Sequence, residues 1–212
     1  IDAHRTVAAV GYGDRTLLKD ALCAALAKTS DEVGRFDDCF DMFFDRDAFA
    51  DNPAWSRCYC FFYNAEHGPD WERRTPAQNR ADKEKSIKQG ESQGLLAYLD
   101  DKVIGWCHAA PMATLPGLAE HVDKDDPELP TTAAIVCFNV APSYRGQGLA
   151  KRLLGAACDA LRAQGMTIVR AMPPREATSA ARAYHGTVPM YEAAGFTVEG
   201  DAGPYVVMRK AL

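Results

Sequence analysis

Apolar residues recur along this chain in two rhythms, and the change of rhythm marks the change of element. The plainest change falls between Ala134 and Ala163. Ala134-Ile135-Val136-Cys137-Phe138-Asn139-Val140 is a nearly continuous apolar, β-branched run, which predicts a buried strand. Pro142 ends it, because proline lacks a ladder donor and biases Ala141 away from helix. From Leu149 the apolar positions fall every four residues at Leu149, Leu153, Ala157 and Leu161, with Leu154 and Ala160 widening the stripe. That period predicts an amphipathic helix beginning near Gly148. Between the two lies Arg145-Gly146-Gln147-Gly148, so the order is strand, glycine-rich turn, helix.

The rest of the chain reads in the same way. Thr6 to Val10 is a short strand closed by Gly11-Tyr12-Gly13, and a helix fits from Asp14 with Leu18, Leu22 and Leu26 on one face. Ser30 caps a second helix whose stripe is Val33, Phe36, Phe40 and Phe43. Trp55 to Tyr63 is rich in aromatics and has the composition of a strand. Thr75-Pro76 opens a helix that Gly90 stops, with few large apolar residues besides Ile87, so a surface helix with solvated Lys83, Lys85 and Lys88 is expected. Leu95 to Leu99 and Lys102 to Cys107 form a hairpin about Asp100-Asp101. Pro111 to Pro130 reads as a loop or short helix. Thr167 to Met172 is a strand closed by Pro173-Pro174, Val188 to Ala194 a helix, and 196–199 with 205–209 a closing hairpin. Strand, helix and strand in succession imply a right-handed crossover and a parallel pair. The class is α/β (α+β), a mixed central sheet with flanking helices and a parallel pair around the glycine-rich turn.

Composition narrows the picture further. At 212 residues one elaborated domain is the simplest organisation. A net charge of -5 argues against a nucleic-acid surface, and no apolar run reaches the roughly 18 residues of a membrane span. The N-terminal residues lack the basic start and apolar core of a signal peptide. Seven cysteines without regular spacing suit free thiols in a reducing cytoplasm. Cys58-x-Cys60, with Cys107, His108 and Cys137 as remote partners, invites a metal, but the pair is spaced too closely and has no second pair, so buried thiols packing as small hydrophobes are the expectation and no metal is assigned.

The turn itself carries chemistry. A helix start exposes unpaired amides, two glycines let a ligand approach the backbone, and Arg145 adds a cation, so a phosphate-bearing ligand fits. A dinucleotide fingerprint would need a third glycine where Lys151 stands, and a P-loop would need Gly-Lys-Ser/Thr. What remains is Arg-x-x-Gly-x-Ala at Arg145, Gly148 and Ala150. It resembles the acyl-CoA pyrophosphate loop of the GNAT N-acetyltransferases, and Val-Ala-Pro-Ser-Tyr-Arg-Gly looks like its lead-in. Tyr191-Glu192-Ala193-Ala194-Gly195-Phe196 is similar to the family's Tyr-x-x-x-Gly-Phe element, 43 residues beyond Gly148. The resemblance covers residues 90–212 well and residues 1–89 weakly, so the chain is expected to be a single GNAT domain, 1–212, with 1–89 a divergent part and 90–212 the acyl-CoA-binding core.

The resemblance implies transfer of an acetyl group from acetyl-CoA to a primary amine by direct attack, in the cytoplasm. The backbone of Phe138 and Val140 would pair with the pantetheine arm. Arg145, Gly146, Gln147, Gly148, Leu149 and Ala150 would hold the pyrophosphate. A bulge in the central strand would free an N–H for the thioester carbonyl. Tyr191 would protonate the leaving thiolate, whose free thiol has a pKa of about 8.5. Family members often carry a basic carboxylate where this chain has Thr131-Thr132-Ala133-Ala134, which leaves Glu128, Asp126, His108 or water for that role. His185 reads as a solvated or capping residue, and direct attack is preferred to an acetyl-Cys137 route. A small-molecule amine is the expected acceptor, with a protein or peptide amine, or a silent acyl-CoA sensor, as the alternatives. The phenylalanine stripe at 33–44 suits a core or a homodimer interface equally.

Overall fold

The computed structural model describes residues 5–10, 39–66, 69–89, 91–99, 102–179 and 182–212. The turn expected at Gly11 to Gly13, the helix from Asp14, the second helix up to residue 38, the stop at Gly90 and the hairpin tip Asp100-Asp101 lie outside these residues.

The strands are β1 (Arg5–Val10), β2 (Gly94–Leu99), β3 (Lys102–Pro111), β4 (Thr132–Val140), β5 (Ile168–Ala171), β6 (Thr197–Ala202) and β7 (Tyr205–Ala211). They form one sheet in the order β1-β2-β3-β4-β5-β7-β6. Every neighbouring pair is antiparallel except β4 and β5, which are parallel, as the strand–helix–strand order requires. The α-helices among the described residues are α1 (Pro69–Arg73), α2 (Pro76–Lys88), α3 (Leu149–Ala163) and α4 (Val188–Ala193).

Helix α3 buries the stripe its period predicts, Leu149, Leu153, Leu154, Ala157, Ala160 and Leu161, against one face of the sheet. Ile135, Phe138, Tyr191 and Phe196 complete that core. The other face carries a second cluster of Phe43, Phe44, Ile87, Trp106 and Cys60, fed by the π-helical stretch Cys39–Asp47 and by α2. A third, smaller cluster of Met112, Leu118, Ala134 and Val136 lies beside it.

Two expectations fail on that second face. Trp55 to Tyr63 is no strand; Pro53–Cys58 is a 3-10 helix, followed by Tyr59 and Cys60 in left-handed conformation at φ 46° and 45°. Asn52-Pro53 starts the helical turn, and the aromatics that look strand-like pack as side chains on neighbouring helical segments, Trp55 on Tyr184 and Phe62 on Trp71 in α1. Cys58 and Cys60 therefore do not share a strand face.

The second correction concerns α2. Thr75 and Gln78 close a capping box around the expected helix start. Yet Lys83 is fully buried, not solvated: Nζ donates to Asn64 Oδ1 at 2.8 Å and to Ser92 Oγ, and sits 5.3 Å from the Trp106 ring centroid. Asn79, Ser86 and Ile87 are buried with it. The inward face of α2 is polar, so a search for apolar residues misses it.

Candidate active site

The site is built where β4 parts from β5. Their pairing stops at Ile135 opposite Ala171, and Pro173 and Pro174, which suit poorly a central ladder, carry the chain away. From Val136 to Val140 the β5-facing edge of β4 therefore has no strand beside it, while its other edge stays paired with β3.

β4 is also bulged at this point. His108 pairs with Cys137 and Ala109 with Ile135, so Val136 is the extra residue. The side chains record the slip. Ile135 and Phe138 join the α3 core, whereas Val136 packs with Met112 and Leu118 and Cys137 with the Phe43 cluster. Two consecutive residues thus face away from α3, and the strand resumes its alternation afterwards.

The glycine-rich turn follows. Gly146 and Gly148 adopt φ of 72° and 76°, a region favourable only to glycine, and both are exposed with nothing within 4 Å of the place a Cβ would take. No side chain caps α3, so its first amides point to open space at the positive end of a 15-residue helix. Leu149 is buried in the core and Ala150 half-buried, so both offer the turn only backbone. Gln147 folds back, its Nε2 donating to the Ser143 carbonyl at 3.0 Å. The Arg145 guanidinium turns inward: Nε donates to the Val140 carbonyl at 2.8 Å, and both terminal nitrogens bond Asp51, at 2.5 and 3.1 Å. Sequence reading missed Asp51, which lies 94 residues away.

Tyr191 lies on the α3 side, fully buried, 6.5 Å from Phe138 and 5.0 Å from Phe196 between ring centroids. Its hydroxyl donates to the His185 carbonyl at 3.0 Å. Burial holds the phenol's pKa well above its ordinary value, so it keeps its proton.

A cavity of about 230 Å³ opens on the unpaired side of β4. Val136, Met112, Tyr63, His185, Arg170 and Glu199 are among its walls. His185 is buried, not solvated; it packs against Tyr184, Tyr205 and Tyr63, with Nε2 3.4 Å from the Tyr63 hydroxyl and a hydrogen bond to the Val136 backbone. Burial lowers its pKa to about 4, so it is neutral near pH 7. At the rim Arg170 binds Glu199 at 2.7 Å and Asp126 at 3.1 Å, and Arg209 binds Glu128 at 3.0 Å. Hydrogen bonds from the Glu128 backbone and Arg170 hold Asp126 below the usual carboxylate range. Asp126 and Glu128, the acidic candidates for a base, are thus both engaged with arginines. His108, the third, is fully buried with neither ring nitrogen hydrogen-bonded among the described residues, and burial drives its pKa well down. Tyr63 and Glu199 carried no sequence signal, because they reach the cavity from a loop and from the far hairpin.

No helix among the described residues is long and apolar enough to cross a membrane. No curated protein matches the chain. Among solved structures it is similar to the PaiA N-acetyltransferase of Thermoplasma acidophilum in complex with coenzyme A, at 13% identity over 98% of this chain and 99% of that one, with a TM-score of 0.49. It is also similar to an acetyltransferase of the GNAT family from Streptococcus pneumoniae, at 19% identity over 66% and 77% of the two chains, with a TM-score of 0.44. A model of the CoxE N-terminal helical bundle domain matches residues 1–47. The acetyltransferase (GNAT) family model matches residues 38–196, well over half the chain, including β4, the glycine-rich turn, α3 and Tyr191. The chain belongs to the acetyltransferase (GNAT) family and is an acyltransferase.

Proposed function

We propose that this protein transfers an acetyl group from acetyl-CoA to the primary amine of a small molecule, by direct attack, in the cytoplasm. One observation carries the reading: an uncapped helix start with two exposed left-handed glycines lies next to a bulged strand whose free edge opens on a small cavity. In this reading the amides of residues 146–150 hold the pyrophosphate, and Arg145, held by Asp51 and the Val140 carbonyl, organises the turn. The free edge of β4 from Val136 to Val140, including Phe138, pairs with the pantetheine arm. An amide at the bulge polarises the thioester carbonyl as negative charge develops on it.

The acceptor amine then enters the 230 Å³ cavity, whose small volume and mainly apolar wall suit a compact amine better than an extended peptide. Asp126 and Glu128 are poor bases while tied to arginines, so water is the better acceptor for the amine's proton. Tyr191 gives its proton to the departing thiolate, exchanging its bond to the His185 carbonyl for one to sulfur. The reduced cysteines among the described residues suit a cytoplasmic setting.

A screen of primary amines, with the acetylated product followed by mass spectrometry, tests the reading. Product formed by the native protein and lost in Tyr191→Phe supports it; tight acetyl-CoA binding with no product from any amine favours the silent sensor.

A further inference from the structure

The sulfurs of Cys60 and Cys137 lie 3.2 Å apart, although the residues are 77 positions apart in the chain. Both are free thiols, Cys60 buried and Cys137 half-buried. Two local departures from regular backbone bring them together. On one side Tyr59 and Cys60 both take left-handed φ, a conformation disfavoured for residues other than glycine. On the other the bulge at Val136 turns Cys137 from the α3 face, where strict alternation would put it, to the face where Cys60 waits.

Such departures persist only where the surroundings hold them, and they gather at sites of function. Cys60 belongs to the apolar cluster of this face and Cys137 packs against it, so the two sulfurs are held together inside it. We propose that Cys60 and Cys137 are a redox-sensitive dithiol, oxidised to a reversible disulfide by hydroperoxides.

The chemistry balances in two steps. The Cys137 thiolate attacks a peroxide oxygen, the O–O bond breaks, and Cys137 becomes a sulfenic acid as one water leaves. The Cys60 sulfur then attacks the Cys137 sulfur and a second water departs, carrying the Cys60 proton. Two thiols lose two electrons and two protons, and one hydrogen peroxide becomes two waters. The order follows from exposure. Cys137 is the half-buried residue of the pair, whereas the contact with Cys137 and burial hold the Cys60 thiol's pKa well up, so Cys60 resolves and does not initiate.

The bond would form beside the cavity. Cys60 lies three residues before Tyr63 and Cys137 directly follows Val136, both of which line it. Oxidation would therefore tie the loop carrying Tyr63 to the central strand. That consequence rests on the acceptor reading given above, but the disulfide itself does not.

The test uses the full chain, treated with hydrogen peroxide, blocked with iodoacetamide and mapped by mass spectrometry. The expected result is a Cys60–Cys137 linked peptide with an intact-mass loss of about 2 Da, reversed by dithiothreitol. The link should survive Cys58→Ser and vanish in Cys60→Ser and Cys137→Ala, with circular dichroism confirming that the variants fold. Because the sulfurs already touch, the oxidised protein should melt at a higher temperature than the reduced one. Sulfinic acid at Cys137 with no linked peptide, a link from Cys58 instead, or a lower melting temperature after oxidation would each overturn the proposal.

Discussion

Arg145 and Asp51 are joined by both oxygens of the carboxylate, at 2.5 and 3.1 Å, so the cation of the glycine-rich turn is anchored to the segment preceding Pro53. The same guanidinium bonds the Val140 carbonyl at 2.8 Å, at the end of β4. One side chain thereby fixes three pieces: the turn, the end of the central strand and a loop from the N-terminal half.

The Arg145 guanidinium holds the Asp51 carboxyl below its ordinary pKa of 3.8. A lowered folded pKa means stability that is full above the ordinary pKa and lost as pH falls further. Asp51 is 40% exposed, so the pair is worth at most about 1 kcal/mol. Urea unfolding of Asp51→Asn beside the native protein should show that difference at pH 7 and almost none near pH 2.5. An undiminished difference at the lower pH would show that the pair is not its source.

Replacing Tyr191 by Phe separates catalysis from packing. The ring stays in its core, and one buried carbonyl, that of His185, loses its donor. That costs about 1–3 kcal/mol of stability. If the hydroxyl protonates the thiolate, kcat should fall by about 100-fold or more while the Kd for acetyl-CoA stays within threefold. A parallel loss of affinity would assign Tyr191 to the binding surface instead.

His185, with its pKa lowered to about 4 by burial, makes the fold sensitive to mild acid. Between pH 6.5 and 4 the unfolded chain binds a proton at this position that the folded one refuses, so stability is lost as pH falls through that window. The full effect is of order 3 kcal/mol. Denaturation of native protein and His185→Asn at pH 7, 5.5 and 4.5 should give a shallower pH slope in the variant. Equal slopes would contradict the account.

His108 adds to the same trend, since burial also drives its pKa down. Neither ring nitrogen is hydrogen-bonded among the described residues, so His108→Phe removes a buried polar group without stranding a partner. It should unfold at an equal or higher urea concentration than the native protein. A loss above about 2 kcal/mol would mean that the imidazole bonds something essential.

Legibility in the sequence followed the physics of each element. The β4–turn–α3 unit was readable because its apolar period changes from continuous to four-residue spacing at a pair of glycines, and the structure puts α3 at Leu149–Ala163 with Leu149, Leu153, Ala157 and Leu161 buried. The parallel pair followed from element order alone. Trp55 to Tyr63 misled because aromatic content is a property of side chains, whereas the left-handed backbone at Tyr59 and Cys60 is imposed by tertiary packing that no local pattern reveals. Lys83 misled because a lysine can be buried when oxygen acceptors such as Asn64 and Ser92 meet it, and those partners lie 19 and 9 residues away. The cavity was invisible for the same reason. Tyr63, His185 and Glu199 converge from three distant stretches, and only the parting of β4 from β5 makes room between them.

The most direct measurement is calorimetric titration of the native protein with acetyl-CoA beside its Gly148→Glu variant. Gly148 is exposed at φ 76° with open space around it, so a glutamate there strains the turn and sets a carboxylate where the pyrophosphate would lie. Micromolar binding by the native protein and none by a folded variant is the predicted result. Equal binding by both, or no binding by the native protein, would contradict a pyrophosphate site at the start of α3.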